Sequence, residues 1–176
     1  MTLKETNKAL NNFAKYVIQQ SRTNLTKGGK YGTYNATGKL YESLGYDLKT
    51  HPNSFSLAFF MENYGEFKDR GVRGVKGGKS YSNFSYKTSS NLIGLEYNTG
   101  VFSKWAKLRK KQFRDKKGRF LSYEQSGYAL ANIIKNYGIK PSLFFTKPFE
   151  KAFDRLPDEL IEKFALDLDQ FLDTTT

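Results

Sequence analysis

Apolar residues recur at helical spacing near both ends of the chain. At the N-terminal end, the positions spaced by three and four are Leu10, Phe13, Ala14, Val17 and Ile18. They predict a helix over residues 3–24, with the capping-box pair Thr2 and Glu5 at its start. At the C-terminal end, a helix begins at Leu156 and Pro157, and its broad apolar face comprises Leu160, Ile161, Phe164, Ala165, Leu168, Phe171 and Leu172. We interpret this second face as intramolecular core.

Alternating apolar and polar residues predict a small sheet between these helices. Residues 46–50 and 55–60 flank a Pro/Asn turn at residues 51–54, which is typical of a β-hairpin. The core face of its second strand would carry Phe55, Leu57 and Phe59. A further strand is predicted after residue 138, where Pro141 disfavours helix and the alternating apolar residues are Ile139, Leu143 and Phe145.

Two shorter helices have clear boundaries in the sequence. Residues 40–44 (LYESL) predict one or two helical turns before Gly45. Ser122 and Gln125 repeat the capping-box spacing and predict a helix that ends before Gly138.

The rest of the second half is less regular. Thr146 is a suitable cap for a helix with Pro148 in its first turn. Residues 103–113 suit a basic helix with a narrow apolar seam at Trp105 and Leu108. No element is predicted for residues 81–98.

These elements together predict an α+β fold. A small antiparallel sheet, made of the hairpin plus one or two further strands, would be packed by the long N- and C-terminal helices. The length of 176 residues suits a single domain spanning residues 1–176. Fifteen Phe, twelve Tyr and one Trp supply large buried surfaces and favour a Phe-rich core.

Composition excludes several kinds of chemistry. The chain has no cysteine, so it has no disulfide, thiolate metal site or cysteine nucleophile. Its single histidine, His51, lies in the predicted turn without evident partners for a catalytic triad. No apolar run is long enough to span a bilayer, and the N-terminal residues do not have the pattern of a signal peptide. We therefore expect a soluble, unexported protein with no catalytic residue, no metal site, no cofactor and no membrane partner.

The positive charge is concentrated in one stretch. Residues 68–119 contain fifteen Lys or Arg and three acids, a net charge of +12, which equals the net charge of the whole chain. Fourteen basic and fourteen acidic residues balance in the remainder. Because crowded like charges repel one another, this stretch predicts an anionic partner, and the leading candidate is DNA phosphate.

Four glycines at positions 71, 74, 77 and 78 lie within this stretch. They invite comparison with a phosphate-binding loop, but a Walker motif needs glycine where this chain has Arg73, and no helix is predicted after Ser80. We prefer a flexible basic loop. Nearby, Glu62, Glu66 and Asp69 have the spacing of carboxylates on one helix face, and we interpret them as a solvated face rather than a metal site.

The two ends of the chain have opposite charge. Residues 1–49 carry a net charge of +5 and residues 148–173 a net charge of −5. These terminal helices can pair within one molecule or between neighbours, or can simply present solvated faces.

The order of elements and motifs resembles the tail-completion or head-to-tail connector proteins of tailed bacteriophages. The resemblance is carried by a Thr-Gly-x-Leu segment before the strands, a Tyr-x-x-Phe-x-x-x-Gly element after them, and a Pro- and Phe-rich run before the last helix. In this chain those positions are Thr37, Gly38, Leu40, Tyr64, Phe67, Gly71, Pro141, Phe144, Phe145, Pro148 and Phe149. Residues 76–137 depart from the pattern and are interpreted as a basic insertion.

The resemblance implies a structural virion protein without enzymatic activity. It would be assembled in the host cytoplasm into a homo-oligomeric ring at the neck or tail, next to portal, neck or tail proteins. Such a ring surrounds the path of the packaged double-stranded DNA, which the basic segment would contact through phosphates. The alternative contact is an acidic neighbouring ring.

Fourteen basic residues are the predicted contacts with DNA or adjoining subunits. They are Lys68, Arg70, Arg73, Lys76, Lys79, Lys104, Lys107, Arg109, Lys110, Lys111, Arg114, Lys116, Lys117 and Arg119. A second hypothesis is a free, sequence-independent nucleic-acid-binding module. Its stacking platforms would be Tyr81, Phe84, Tyr86, Trp105 and Phe113.

Overall fold

The computed structural model describes residues 3–27, 37–51 and 54–173, in which the chain is mixed helix and strand. In chain order the elements are α1 (Lys4–Lys27), α2 (Lys39–Ser43), β1 (Gly45–His51), β2 (Ser54–Phe60), α3 (Tyr64–Arg70), α4 (Leu92–Thr99), α5 (Val101–Leu108), α6 (Tyr123–Tyr137), α7 (Thr146–Phe153) and α8 (Leu156–Asp173). None of the helices in the described part of the chain combines the length and the apolar character needed to cross a bilayer.

The chain divides into two compact units. The first, here called the hairpin unit, comprises Met1–Gly65 and Leu143–Thr176, and the second, the basic unit, comprises Glu66–Ser142. The predicted insertion at residues 76–137 lies within the basic unit. A single domain with that insertion stays a prediction.

The predicted hairpin is confirmed. Strands β1 and β2 pair antiparallel in a register that runs from Gly45 opposite Phe60 to His51 opposite Ser54. Leu57 and Phe59 are half-buried against the core, whereas Phe55 is 45% exposed and does not share the predicted core role. Leu57 and Phe59, in the second half of β2, therefore pack against the core, whereas Phe55 near the start of the strand does not.

Helix α1 supplies the centre of the hairpin unit. The apolar face predicted from the sequence is buried, and α1 packs against α7, α8 and β1. Phe13 meets Phe59 and Phe149 edge to face, with ring centroids 6.1 and 5.7 Å apart. Phe145 joins the same aromatic cluster at 5.4 Å from Phe59. The long N- and C-terminal helices thus pack the hairpin, as predicted.

The predicted further strand is not formed, since the sheet of the described residues has only β1 and β2. Ile139 forms one isolated antiparallel bridge with Val72, and Leu143 has a left-handed backbone with φ 51°, which interrupts any extended run. Helix α7 follows directly, but Thr146 is its first residue rather than its cap. The alternating apolar residues at this position therefore do not indicate a strand.

The interpretation of the last apolar face as core is wrong for most of its residues. Helix α8 begins at Leu156 as predicted, but its inward side is formed by Leu156, Leu160, Lys163 and Asp167, which recur at intervals of four and three. The apolar residues left exposed on α8 are Ile161, Phe164, Leu166, Leu168, Phe171 and Leu172. Because a polar residue takes part in the inward side, apolar periodicity alone gave the wrong helical phase.

That polar residue, Asp167, caps the start of α1. Its Oδ1 accepts the amide of Glu5 at 2.8 Å and its Oδ2 accepts the amide of Thr6 at 2.9 Å. The predicted cap residue Thr2 lies outside the described residues. Burial opposes ionisation of the carboxyl, which is 2% exposed, but the amides of Glu5 and Thr6 outweigh it and hold the pKa of Asp167 below its usual value. A carboxylate from one end of the chain thus fixes the helix at the other end.

Replacing Asp167 by alanine is expected to lower the free energy of unfolding by about 1–3 kcal/mol, because two amides at a helix start lose a charged acceptor. Since the folded pKa is depressed, the contribution of Asp167 is present above the unfolded pKa of about 4 and is lost as pH falls through the folded pKa. Urea unfolding at pH 7 and pH 3 measures both effects. The matched control is Asp169→Ala, which removes the same charge from an exposed position of α8. Equal losses for the two variants would contradict the capping role.

Candidate nucleic-acid interface

The basic unit carries the whole net charge of the protein. Residues 66–142 contain seventeen Lys or Arg and five acids, a net charge of +12. The hairpin unit contains twelve basic and twelve acidic residues and is neutral. The boundary between the compact units is therefore also a boundary in charge.

Most of the fourteen predicted contact residues are exposed. Lys68 and Arg109 are half-buried, and burial, followed by the nearby Arg109 charge, lowers the pKa of Lys68. The exposed residues are Arg70, Arg73, Lys76, Lys79, Lys104, Lys107, Lys110, Lys111, Arg114, Lys116, Lys117 and Arg119. The structure distributes them over α3, the glycine-rich segment, α5 and the turn that follows α5.

The turn at residues 113–121 is held by a single carboxylate. The Asp115 side chain accepts the amides of Lys117 at 2.8 Å and Arg119 at 2.9 Å, and it also pairs with the Arg119 guanidinium at 2.9 Å. These bonds, led by the one from the Arg119 amide, lower the pKa of Asp115. Gly118 takes the left-handed conformation that closes the turn, with φ 79°. The turn is therefore preorganised by the hydrogen bonds of Asp115.

Two of the four cations of this turn have structural partners. The Arg114 guanidinium lies 4.0 Å from the centroid of the Phe120 ring and donates to the Gly118 carbonyl at 2.8 Å. Arg119 is paired with Asp115. Lys116 and Lys117 occupy the tip and are exposed. The two lysines are therefore the side chains of this turn best placed to meet an anion.

Helix α5 corresponds to the predicted basic helix but ends at Leu108, and the next residues turn through Lys110, which has φ 50°. Its buried side is formed by Phe102, Ser103 and Ala106. The apolar seam, in contrast, faces solvent: Trp105 is 39% exposed and Leu108 is 56% exposed.

A buried carboxylate sets this orientation of α5. Glu96, which is 3% exposed, accepts the amides of Phe102 at 2.7 Å and Ser103 at 3.0 Å at the start of the helix. Gly127 of α6 provides the space, because a Cβ there would overlap the Glu96 carboxylate and lie 2.7 Å from the Ser103 amide nitrogen. Helix α5 consequently approaches α6 closely where Ser103 lies next to Gly127.

Helix α4 lies in the stretch for which the sequence predicts no element. Its cap is Asn91, whose side chain accepts the Gly94 amide at 2.8 Å, and Gly100 ends the helix with φ 58°. This pair of signals, an Asn start and a Gly end, would have indicated a helix. Its hydrophobic residues were uninformative because Ile93, Leu95 and Tyr97 are all exposed.

The glycine-rich segment is not the flexible loop that was expected. Val72 and Ile139 exchange backbone hydrogen bonds of 2.9 and 2.8 Å, and the amides of Val75 and Lys76 donate to the end of α6 at 2.9 and 2.8 Å. A Cβ at Gly74 would overlap the backbone of residue 136. The glycines permit this close backbone approach, which holds Arg73, Lys76 and Lys79 on an ordered segment.

The acidic residues near the start of the basic unit do not form one solvated face. Glu66 is exposed and pairs with Arg70 at 3.8 Å, but Asp69 is 3% exposed. Among the described residues no group of three or more His, Asp or Glu is arranged to hold a metal ion. The glycine-rich segment is likewise followed by irregular structure rather than by the helix of a phosphate-binding loop, since α4 begins only at Leu92.

The hairpin unit contains an open cleft between α1 and β1. Its lining includes Lys15, Arg22, Tyr41 and Phe60, and none of its lining residues is a carboxylate or an imidazole. The Arg22 guanidinium already donates to the Tyr41 carbonyl at 3.2 Å and the Leu44 carbonyl at 3.0 Å.

No protein-family model, curated protein or solved structure matches this chain.

Proposed function

We propose that this chain is a structural protein of a tailed-bacteriophage virion. It would be a subunit of an oligomeric ring at the head–tail neck or at the end of the tail, with the basic unit facing the packaged double-stranded DNA. The observation that carries the proposal is the separation of a neutral unit from a compact unit of net charge +12. Duplex DNA carries roughly one negative charge per 1.7 Å, and its neutralisation by Lys and Arg releases counterions without any requirement for sequence.

Most residues that carry the phage resemblance lie in the hairpin unit, whereas Phe67, Gly71 and Pro141 lie in the basic unit. Leu40 and Phe144 are buried at 3% and 1% exposure, and Phe145 and Phe149 belong to the aromatic cluster of the hairpin unit. The hairpin unit would thus be the common scaffold. Residues 76–137 of the basic unit would be the addition that adapts this subunit to its anionic partner.

A paired substitution of the tip lysines tests the contact with DNA. Lys116→Ser combined with Lys117→Ser removes two exposed charges while the bonds of Asp115, Arg114 and Arg119 keep the turn. We expect the affinity for random-sequence duplex DNA to fall by roughly tenfold and the salt slope to fall by about 2, because two phosphate contacts are lost. Fluorescence anisotropy over a salt series measures both quantities.

The matched control removes the same charge from the neutral unit. Lys147→Ser combined with Lys151→Ser changes two exposed lysines of α7 and should leave DNA binding unchanged. Equal loss in both double variants would indicate an effect of net charge alone. Unchanged binding by the tip variant would exclude the turn as the contact.

A free, sequence-independent nucleic-acid-binding module is the second candidate function. It is favoured by exposed aromatic side chains among the cations, since Tyr81 is 56%, Phe84 46% and Phe113 38% exposed. Phe84 is itself held edge to face against Phe67 at 4.7 Å, which would preorganise a stacking surface. Competition between single-stranded and duplex DNA separates the candidates: preference of the monomer for single strands supports the module, and preference of an assembled ring for duplex supports the virion protein.

A further inference from the structure

Helix α8 presents an exposed apolar stripe with an acidic border. Ile161, Phe164, Leu168 and Leu172 recur at intervals of three and four, and their exposure ranges from 40% at Leu168 to 71% at Ile161. The border is formed by two exposed acids, Asp158 and Asp169, which lie three positions from Ile161 and Leu172, respectively. The stripe extends over eleven residue steps, roughly 16 Å of helix.

Helix α5 presents the complementary surface. Val101, Trp105 and Leu108 recur at intervals of four and three and are 44%, 39% and 56% exposed. Lys104 lies beside this stripe, three positions from Val101 and four from Leu108, and is exposed. The stripe extends over seven residue steps, roughly 10 Å, so it fits within the length of the α8 stripe.

We infer that α8 of one copy of this chain packs against α5 of another copy. Burial of the two apolar stripes would drive the contact, and the acids of α8 would face Lys104 of α5. Contacts of α8 with α8, or of α5 with α5, would instead place like charges opposite one another, which is unfavourable. The occupant of each stripe is therefore the other stripe on a second copy.

The two surfaces differ, so the contact is head to tail. A head-to-tail contact leaves one free α8 and one free α5 on every pair, and it repeats until a ring closes or a filament forms. This inference rests on the proposed ring and specifies how its subunits meet. It also divides the predicted basic residues into two groups: Lys104 serves subunit contact, whereas the tip lysines and the glycine-rich segment remain for DNA.

Two variants that each destroy one surface test the inference. The α8 variant carries Ile161→Gln and Leu168→Gln, and the α5 variant carries Trp105→Gln and Leu108→Gln. Sedimentation velocity over a concentration series should show association of the wild type, and at least about tenfold weaker association of each variant alone. An equimolar mixture of the two variants should form a 1:1 dimer and nothing larger, because only one intact α5–α8 pair can form.

The matched controls replace exposed apolar residues that lie outside both stripes. Leu166→Gln changes an exposed residue on the other side of α8, and Ile133→Gln changes an exposed residue of α6. Both controls should associate as the wild type does. Hydrogen exchange of the wild type provides a measurement without substitutions, since amides of α5 and α8 should become more protected as concentration rises.

Several outcomes would overturn the inference. A wild type that stays monomeric at every concentration, self-association of the α5 variant alone, or a monomeric mixture would each exclude the head-to-tail contact. DNA binding is measured separately on the tip variant, whose α5 and α8 are intact. Failure of the subunit contact with retained DNA binding, or the reverse, is therefore distinguishable.

Discussion

An increase in salt concentration from 50 to 200 mM is expected to weaken the binding of this protein to duplex DNA by about 10³-fold or more. The expectation assumes six to ten phosphate contacts, which the exposed cations of the basic unit can supply, and a slope of about −0.9 in log affinity against log salt for each contact. A fluorescein-labelled duplex titrated at a series of salt concentrations gives the slope directly. We expect a value between about −5 and −9.

The controls for this slope test whether DNA sequence matters and whether the partner is DNA or an acidic protein. Two duplexes of unrelated sequence should give the same slope, because phosphate contacts carry no sequence information. An acidic protein partner would also be bound in a salt-dependent manner, but it would not require duplex DNA. A slope near zero for duplex DNA would contradict phosphate binding and would leave the acidic neighbouring ring as the partner of the basic unit.

The elements that sequence predicted well are those with local signals. The capping box at Ser122 and Gln125 is present in the structure, where both reciprocal bonds are 3.1 Å long, and α6 ends before Gly138 as expected. The hairpin and the buried face of α1 were likewise predicted, because strand alternation and helical spacing are both properties of neighbouring residues.

Long-range packing decided what the sequence could not indicate. The cap of α1 comes from Asp167, 162 positions beyond Glu5, and no local pattern identifies such a partner. Because Asp167 lies on the inward side of α8, the apolar stripe of that helix is exposed. Glu96 does the equivalent for α5, since its bonds to the start of that helix turn Trp105 and Leu108 outward.

The candidate site was predicted in position but not in detail. Counting charges located the basic unit, because a net charge of +12 within one segment does not depend on the fold. Charge alone did not distinguish Lys116 and Lys117 from Arg114, whose guanidinium is stacked on Phe120, or from Arg119, which is bound to Asp115. That distinction depends on the geometry of the turn.

Replacement of Gly138 by alanine is expected to cost at least about 3 kcal/mol of stability in the basic unit. Its φ of 76° and ψ of −166° belong to a region that only glycine occupies readily, and strain there costs about 1–3 kcal/mol. A Cβ would in addition overlap the Val72 carbonyl and lie 2.6 Å from the Gly74 amide nitrogen, so the backbone pairing with the glycine-rich segment would have to open. Urea unfolding followed by hydrogen exchange of residues 72–76 measures the loss and its location.

The control for Gly138→Ala is Gly77→Ala, which separates the two causes. Gly77 has φ 116° but open space around its missing Cβ, so only backbone strain is introduced and a smaller loss is expected. Because Arg73, Lys76 and Lys79 lie on the segment that Gly138 holds, Gly138→Ala should also weaken DNA binding under conditions where the hairpin unit remains folded. Equal destabilisation by the two variants would show that close approach of the backbones contributes little. Loss of stability without loss of DNA binding would show that the glycine-rich segment does not contribute its cations to the interface.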